Sequence, residues 1–397
     1  MTRVIDFLFM IKGNLAPTNE LTEGSGVINF LASRLGASGY NVSVLKLGSR
    51  KLIHAVTKEY IRKHGLLGLK SLMRSQVQFS LRDTSGAVGQ LANEMVRLPL
   101  TRGSVTHMNN PDTYNVLKSE NELLGFKVVR AIATLWPTVF FVTRMTADRK
   151  YWLSQHDEDL PSVSGIFTPV SSVAFTQVGL KRIVTNSHIF NRFLIEKLIR
   201  IKVGVEQNYT LPSSIDSRNS RRILFPLRRP INKGAVCMIR AAGLIKSQVA
   251  DVVLESYRDY SGTLPNYITH HGVIKKQRLE ELYNSASIFV LPSLVEGFGM
   301  PLVEAMACGA ATIATRCYGS EDIIQDGVNG LLVPPGDSKA ISSAVVYLML
   351  HDQLKWRLAQ RGLLDARNYT PEAMFRSFHE GLLRFEEEHS PTVARRV

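Results

Sequence analysis

The chain has few cysteines, no long apolar stretch and fewer acidic than basic residues. Its three cysteines, Cys237, Cys308 and Cys317, do not form the spaced clusters of a zinc motif or a disulfide framework, so a reducing compartment is expected. The longest uncharged span, residues 160–180, contains prolines and many Ser and Thr, and the apolar start of the chain is short and interrupted by Asp6. Neither is typical of a membrane-spanning helix or a secretion signal, so we expect a cytoplasmic protein that is soluble or bound to a membrane only at its surface.

The composition is otherwise ordinary for a globular protein, with 45% hydrophobic and 21% charged residues. A length of 397 residues is sufficient for two domains. The net charge is +14, and most of the excess lies in residues 1–216. Such an excess implies an anionic partner, which could be a phospholipid surface, a phosphorylated acceptor or nucleic acid. No RNA-binding motif or zinc spacing supports nucleic acid, so we expect no nucleic-acid partner.

The basic residues are densest in segment 50–82, which contains eight Lys and Arg residues and a single acidic residue, Glu59. Apolar residues are interleaved with them, which predicts one or two amphipathic helices with a basic polar face. One interpretation is a peripheral contact with the anionic inner face of the cell membrane. The alternative is a helix packed on its own domain, with its Lys and Arg in solvent.

The most informative stretch runs from Ile288 to Gly309, IFVLPSLVEGFGMPLVEAMACG. Its apolar start is typical of a buried parallel strand. The glycines that follow allow a backbone to approach a ligand closely, and Pro301 suits the first turn of a helix. The pattern therefore predicts a strand, a glycine loop and a helix N-terminus, which together favour an anion site.

Two carboxylates, Glu296 and Glu304, bracket this loop. Carboxylates accept hydrogen bonds from pairs of hydroxyl groups, so two of them beside a phosphate-binding loop suggest a phosphorylated sugar or ribose as the ligand. The spacing alone is equally compatible with an ordinary helix that carries a solvated glutamate.

The amino-acid sequence of this stretch, together with DGVNGLLVPPGD at residues 326–337, resembles the C-terminal donor site of the retaining family-four glycosyltransferases. The signature of that family is Glu, seven residues, Glu, which Glu296 and Glu304 match. The resemblance implies an α/β protein of GT-B architecture, with two doubly wound, Rossmann-like domains facing an interdomain cleft. The repeated strand–helix order of both halves agrees with this fold class.

The domain boundaries follow from a polar segment, residues 213–220, that reads as a linker. We expect an N-terminal, acceptor-side domain over residues 1–216 and a C-terminal, donor-binding domain over residues 217–370. A final helix over 371–388 is expected to pack back on the first domain, as is common in this fold.

Patterning predicts the elements between these landmarks. In the first half we expect a strand over 4–10, a loop over 23–27 that enters a helix, a strand over 41–47, a helix over 114–124 and a strand over 139–143. In the second half we expect strands over 221–227, 268–274, 288–291, 310–314 and 331–333, and helices over 338–361 and 371–388. The family resemblance implies a loop over 318–321.

The resemblance also implies roles for individual residues. Arg228 and Lys233, in the turn RRPINKG, match the cations that grip the donor diphosphate, although a basic turn after a strand is by itself usually solvated. With Glu296, which would hold sugar hydroxyls, they form the predicted catalytic set. The predicted donor-binding residues are Glu304 on the ribose, Gly297, Phe298 and Gly299 in the loop, Val273 near the base, and Gly24 and Gly26 after the first strand.

The acceptor side is less well matched. His107 is the candidate for one of two histidines that family members often carry, and Arg144 stands where the second is expected. The acidic run from Asp157 to Asp159 lies in a polar stretch without a preceding strand, so it predicts a solvated loop and no metal site. The donor chemistry of the family needs no metal and no cofactor.

The function predicted from these residues is retaining transfer of a sugar from a nucleotide-diphosphate donor, UDP- or GDP-linked, to a glycan or lipid-linked hydroxyl acceptor. The alternatives are a nucleotide-sugar epimerase or hydrolase of the same fold, a phosphorylase, and a basic lipid-binding protein with an inactive donor site. A phosphorylase of the pyridoxal type would need a cofactor lysine, and none is identifiable. A hydrolase would release free sugar without an acceptor.

Overall fold

The structure is a computed structural model that describes residues 3–12, 24–47, 115–117, 126–134, 138–139, 142–143, 145–154, 180–185, 187, 198–205 and 221–389. The chain divides into two compact units, one comprising Met1–Ile183 with Glu196–Leu198 and the other Val184–Ile195 with Ile199–Val397. Several predicted features lie outside the described residues, namely His107, Arg144, the basic segment 50–82, the acidic run 157–159 and the linker 213–220.

The first half of the chain builds a seven-stranded sheet with the order β3-β2-β1-β4-β5-β6-β7. The interior strand β1 is fully buried at Phe7, Leu8 and Phe9, and it pairs in parallel with β2 on one side and β4 on the other. The elements are β1 (Arg3–Lys12), α1 (Gly24–Ala37), β2 (Val42–Leu47), β3 (Asn115–Leu117), β4 (Phe126–Ala133), β5 (Arg149–Ser154), β6 (Lys181–Val184) and β7 (Leu198–Arg200).

Three local predictions for this half are wrong. The predicted loop over 23–27 is helical from Gly24 onward, so Gly24 and Gly26 form the first turn of α1. Strand β3 lies where a helix over 114–124 was expected. The predicted strand over 139–143 is not present. The described residues of this region, Thr138, Val139, Val142 and Thr143, are helical. The strand of this region is β4, which ends earlier in the chain at Ala133.

The second half builds a six-stranded sheet with the order β10-β9-β8-β11-β12-β13. Strands and helices alternate, and all five pairs of neighbouring strands are parallel, as in a Rossmann-like domain. The strands are β8 (Arg222–Pro226), β9 (Val253–Tyr257), β10 (Ile268–His270), β11 (Ile288–Leu291), β12 (Ala311–Thr315) and β13 (Leu331–Val333). The helices are α2 (Ala235–Gln248), α3 (Lys276–Ser285), α4 (Met300–Ala307), α5 (Tyr318–Ile323), α6 (Ser338–Leu350), α7 (Asp352–Ala366) and α8 (Pro371–Glu388).

The predicted strands of this half are all present, and so is the final helix. Two local predictions are wrong. The expected loop over 318–321 is the short helix α5. The expected continuous helix over 338–361 is interrupted at His351, whose φ of −125° and ψ of 69° leave the helical region. The His351 ring bonds instead to the carbonyl oxygen of Tyr347, 2.8 Å away, and α7 begins at the next residue.

The final helix α8 packs against residues 199–205. The backbone N–H of Lys202 donates to Ser377 Oγ at 3.0 Å, and Thr370 caps the helix by accepting from the N–H of Ala373 at 2.9 Å. All of these residues belong to the second unit, so the packing of this helix on the first domain stays a prediction. Among the described residues, no helix is both long and apolar enough to cross a bilayer.

Candidate functional site

The candidate site lies where β8 and β11, neighbours at the centre of the second sheet, reach their carboxyl ends. A short 3-10 turn, Ile231–Lys233, follows β8, and the glycine loop follows β11. The backbone N–H groups of Leu294 and Val295 both donate to the carbonyl of Asn232, at 2.8 and 3.2 Å. These bonds join the two loops at the edge of the sheet where open α/β folds bind ligands.

Gly234 allows this close approach. Its φ is +71°, in the left-handed region, and a Cβ added there would lie 1.8 Å from the carbonyl oxygen of Pro292. Glycine is therefore required twice over at this position, by the backbone conformation and by the neighbouring loop.

The joined loops bring the predicted catalytic residues Lys233 and Glu296 into an ion pair. Lys233 Nζ lies 3.0 Å from Glu296 Oε1 and also donates to the carbonyl of Val295 at 3.2 Å. Ser293 Oγ donates to the second carboxylate oxygen, Oε2, at 3.0 Å. The Lys233 and Glu296 side chains are only 14% and 12% exposed, so their attraction is screened far less than that of a surface pair.

The glycine loop leads directly into α4. Gly299 has a φ of +97° and stands at the N-cap position of that helix, with Pro301 in its first turn. Phe298 is 8% exposed, and its backbone lies against Gly319, where an added Cβ would come within 2.5 Å. The helix therefore starts from a fixed loop, with its positive end beside Lys233 and Glu296.

Glu304, the second predicted carboxylate, is hydrogen-bonded to a pair of tyrosines. Its side chain is almost fully buried, at 3% exposure, and its Oε2 accepts a hydrogen bond from the Tyr283 hydroxyl at 2.8 Å. The Tyr283 oxygen lies 2.7 Å from the hydroxyl of Tyr257, at the carboxyl end of β9. Burial raises the pKa of Tyr257 far above its usual range, and the charge of Glu304 adds to the effect.

Arg228, the third predicted catalytic residue, lies two positions beyond the end of β8. Its Nε is buried and has no hydrogen-bond partner in the parts of the chain that the structure describes. A buried donor of this kind normally has a partner, so this side chain fits a site for a negatively charged ligand. The positive charge of Arg228 lowers the pKa of the Tyr257 hydroxyl, although burial has the larger, opposite effect. Arg228 therefore lies near Tyr257, which is hydrogen-bonded through Tyr283 to Glu304.

The remaining predicted residues lie on other elements. Val273 is 77% exposed in the loop after β10. Its neighbour Gly272 has a φ of +67° and accepts the N–H of Arg258 at 2.7 Å, which ties this loop to the one after β9. Gly24 and Gly26 belong to the first unit, at the start of α1.

Sequence reasoning missed the polar residues that support the predicted ones. Ser293 is absent from the predicted residues, although its position three residues before Glu296 signals a contact with that carboxylate. Tyr283 is also absent from them, because it follows the apolar pattern of a buried helix face. Tyr257 and Asn232 carry no signal that could have linked them to the site, because their contacts depend on strand order.

Comparison with known proteins finds a family match that covers the candidate site. Residues 221–351 match the family described as Glycosyl transferases group 1. This segment contains the 3-10 turn, the glycine loop, α4 and both tyrosines.

Two curated relatives show the extent of the likeness. The chain is 32% identical over 111 residues to O-antigen chain mannosyltransferase B of Escherichia coli, a match that covers 28% of this chain and 29% of the relative. It is 28% identical over 188 residues to D-inositol 3-phosphate glycosyltransferase of an Arthrobacter species, covering 42% and 44%. The chain thus spans less than half the length of these relatives.

A solved structure resembles nearly the whole chain. The Anabaena protein HepE, in complex with UDP and glucose, superposes with a TM-score of 0.63 at 14% identity, covering 96% of this chain and 100% of that one. The likeness confirms the predicted fold class, two Rossmann-like α/β domains of the GT-B type.

Proposed function

We propose that the protein is a retaining glycosyltransferase that moves a sugar from a nucleotide-diphosphate donor to a hydroxyl acceptor, in the biosynthesis of a polysaccharide, glycolipid or other glycoconjugate. The observation that carries the proposal is the Lys233–Glu296 ion pair, held at 3.0 Å beside the glycine loop and the N-terminus of α4. A fixed cation, a fixed carboxylate and a helix N-terminus together suit a ligand that has both phosphate and hydroxyl groups.

The cations have a direct role in this chemistry. When the bond between the anomeric carbon and the phosphate oxygen breaks, negative charge accumulates on the departing diphosphate. Lys233, Arg228 and the positive end of α4 stabilise that charge. They lie in a partly buried site, where such interactions are stronger than in water. Since the groups are fixed before the ligand arrives, little reorganisation is needed at the transition state.

The carboxylates have binding roles. Glu296, oriented by Lys233 and Ser293, accepts hydrogen bonds from the sugar hydroxyls, and Glu304 accepts them from the ribose. The acceptor hydroxyl attacks the anomeric carbon from the face that the diphosphate leaves. Its oxygen forms the new glycosidic bond, and its proton passes to the departing phosphate oxygen. The sequence of bonds made and broken keeps the anomeric configuration and requires no metal.

The relatives support the class of substrate. The names of the two curated relatives describe mannosyl and glycosyl transfer, and HepE was solved with UDP and glucose. By analogy, we propose a UDP- or GDP-linked donor. The net charge of +14 fits an acceptor that carries phosphate or lies at an anionic membrane surface.

The proposal is tested by incubating the full chain with UDP-glucose, UDP-N-acetylglucosamine, UDP-galactose or GDP-mannose, with and without glycoside and lipid acceptors. We expect nucleoside diphosphate release that depends on an acceptor, and an α-linked product from these α-linked donors by NMR. Release of free sugar at the same rate without any acceptor would identify a hydrolase instead. A β-linked product would rule out retention.

A further inference from the structure

The hydrogen-bonded row Tyr257–Tyr283–Glu304 is a buried polar arrangement beside the site. Tyr257 is 1% exposed, Tyr283 is 0% exposed and Glu304 is 3% exposed. The three residues come from three separate elements, β9, α3 and α4, so the row crosses the interior of the second unit. Such an arrangement is costly to bury unless its members satisfy one another.

The direction of the hydrogen bonds follows from the chemistry of the groups. A tyrosine hydroxyl has one proton to donate, and that of Tyr283 is donated to Glu304 Oε2 at 2.8 Å. Tyr257 is therefore the donor in the 2.7 Å contact with the Tyr283 oxygen. Since burial raises the pKa of Tyr257, its hydroxyl stays protonated and able to donate throughout the working pH range.

The tyrosine rings are themselves fixed by packing. The Tyr257 and Tyr283 rings meet edge to face with centroids 6.0 Å apart, and the Tyr283 ring lies 5.5 Å from that of Phe289 on β11. A glutamate carboxylate otherwise rotates about its last torsion, which has only broad preferences. The tyrosine row removes that freedom from Glu304.

We propose that Tyr283, supported by Tyr257, is a positioning residue that orients the Glu304 carboxylate to accept hydrogen bonds from the vicinal hydroxyl pair of a ribose. The proposal rests on the proposed function, because it assumes that a nucleotide occupies this site. It extends that function by making the tyrosine row the determinant of selectivity for ribonucleotides over nucleotides that lack these hydroxyls. Tyr283 acts through Glu304 and does not itself contact the ligand.

The expected change in Kd follows from the type of hydrogen bond that orients Glu304. Hydrogen bonds to a charged group are among the stronger ones, so a correctly oriented carboxylate favours the ribose form by roughly 10- to 100-fold in Kd. Tyr283→Phe keeps the ring and its packing but removes the donor to Glu304. We expect this variant to bind the ribonucleotide about 10-fold more weakly and to bind the dideoxy analogue as before.

The experiment is calorimetric titration of the full chain with UDP, GDP and their 2′,3′-dideoxy analogues, for the wild type, Tyr283→Phe and Tyr257→Phe. Tyr369→Phe is the matched control, because it loses a tyrosine hydrogen bond, 3.2 Å to the Asp322 carbonyl, outside the row. We expect the ribose preference to shrink in Tyr283→Phe, to shrink less in Tyr257→Phe, and to be unchanged in the control.

The outcomes separate the two proposals. If the wild type binds neither UDP nor GDP, the proposed donor site is wrong and the inference fails with it. If the wild type binds one of them but does not prefer it to its dideoxy analogue, only the inference is overturned. The same holds if Tyr283→Phe weakens both analogues equally, which a merely structural role of the tyrosine would produce.

Discussion

Replacing Lys233 by alanine lowers kcat for sugar transfer by roughly 10²- to 10³-fold, the usual effect of removing one fixed group that stabilises transition-state charge. The variant loses the cation that faces the departing diphosphate and leaves Glu296 without its 3.0 Å partner. Both effects act on the same step, because a carboxylate that has lost its cation opposes the negative charge that develops on the diphosphate beside it. Steady-state kinetics with whichever nucleotide-sugar supports transfer in the assay proposed above measures the loss.

Lys246→Ala is the matched control for this prediction. Lys246 lies in the last turn of α2 in the same unit, is half-buried, and its Nζ donates to the carbonyl of Ala250 at 2.5 Å. Its removal lowers the net charge by the same amount without touching the site, so we expect a wild-type rate. Equal rates for Lys233→Ala and Lys246→Ala would show that Lys233 has no part in catalysis.

Replacing Gly234 by alanine destabilises the second unit strongly. The left-handed φ of +71° costs a residue with a side chain about 1–2 kcal/mol. The contact of 1.8 Å with the Pro292 carbonyl forces the two loops apart and adds an overpacking cost of about 1–3 kcal/mol. We expect the melting temperature of this unit to fall by roughly 10 °C in differential scanning calorimetry of the full chain.

Gly327→Ala separates the two causes. Gly327 has a similar φ of +74°, but an added Cβ would meet no atom within 4 Å. This variant therefore shows the conformational cost alone, and we expect a decrease in melting temperature of about 5 °C. If Gly234→Ala is no less stable than Gly327→Ala, the close approach of the two loops at Pro292 is wrong.

The second unit could be predicted in detail because its short apolar runs are interrupted by glycine and proline at the strand ends. The run from Ile288 to Leu291 is a fully buried strand, and the glycines and Pro301 after it mark the loop and the start of α4. Where prediction failed here, a side chain or a tight packing contact decided the outcome. His351 bonds to the carbonyl of Tyr347 and interrupts a helix that the apolar pattern would continue.

The first unit was harder because its strands are not uniformly apolar. Strand β4 contains Lys127 and Arg130, and these charged residues interrupt the apolar pattern that would predict a buried strand. In the structure Lys127 pairs with Asp148 at 3.0 Å and the Arg130 guanidinium lies 4.8 Å from the Phe7 ring centroid. The apolar run around Val139 was the more obvious strand, but a short run of this kind is equally compatible with a buried helix segment.

The sequence predicts only part of the candidate site, because contacts within the site depend on which strands are neighbours in the sheet. Lys233 and Glu296 stand 63 positions apart, and their meeting depends on β8 and β11 being neighbours in the sheet. A motif can suggest such a pair, but spacing along the chain cannot place Tyr257 or Tyr283 against Glu304. Those contacts follow from the strand order and from the way α3 packs beside α4.

The central claim is that the joined loops of the second unit bind a nucleoside diphosphate. Its most direct test is the melting temperature of the purified chain with UDP, GDP and ADP at saturating concentration, for the wild type and Glu304→Ala. A ligand that binds the folded state at 100 times its Kd stabilises it by about 2.7 kcal/mol, so we predict a rise of several degrees with UDP or GDP that is much smaller in the variant. An unchanged melting temperature of the wild type with all three nucleotides, or an equal rise in Glu304→Ala, would contradict the assignment of this site.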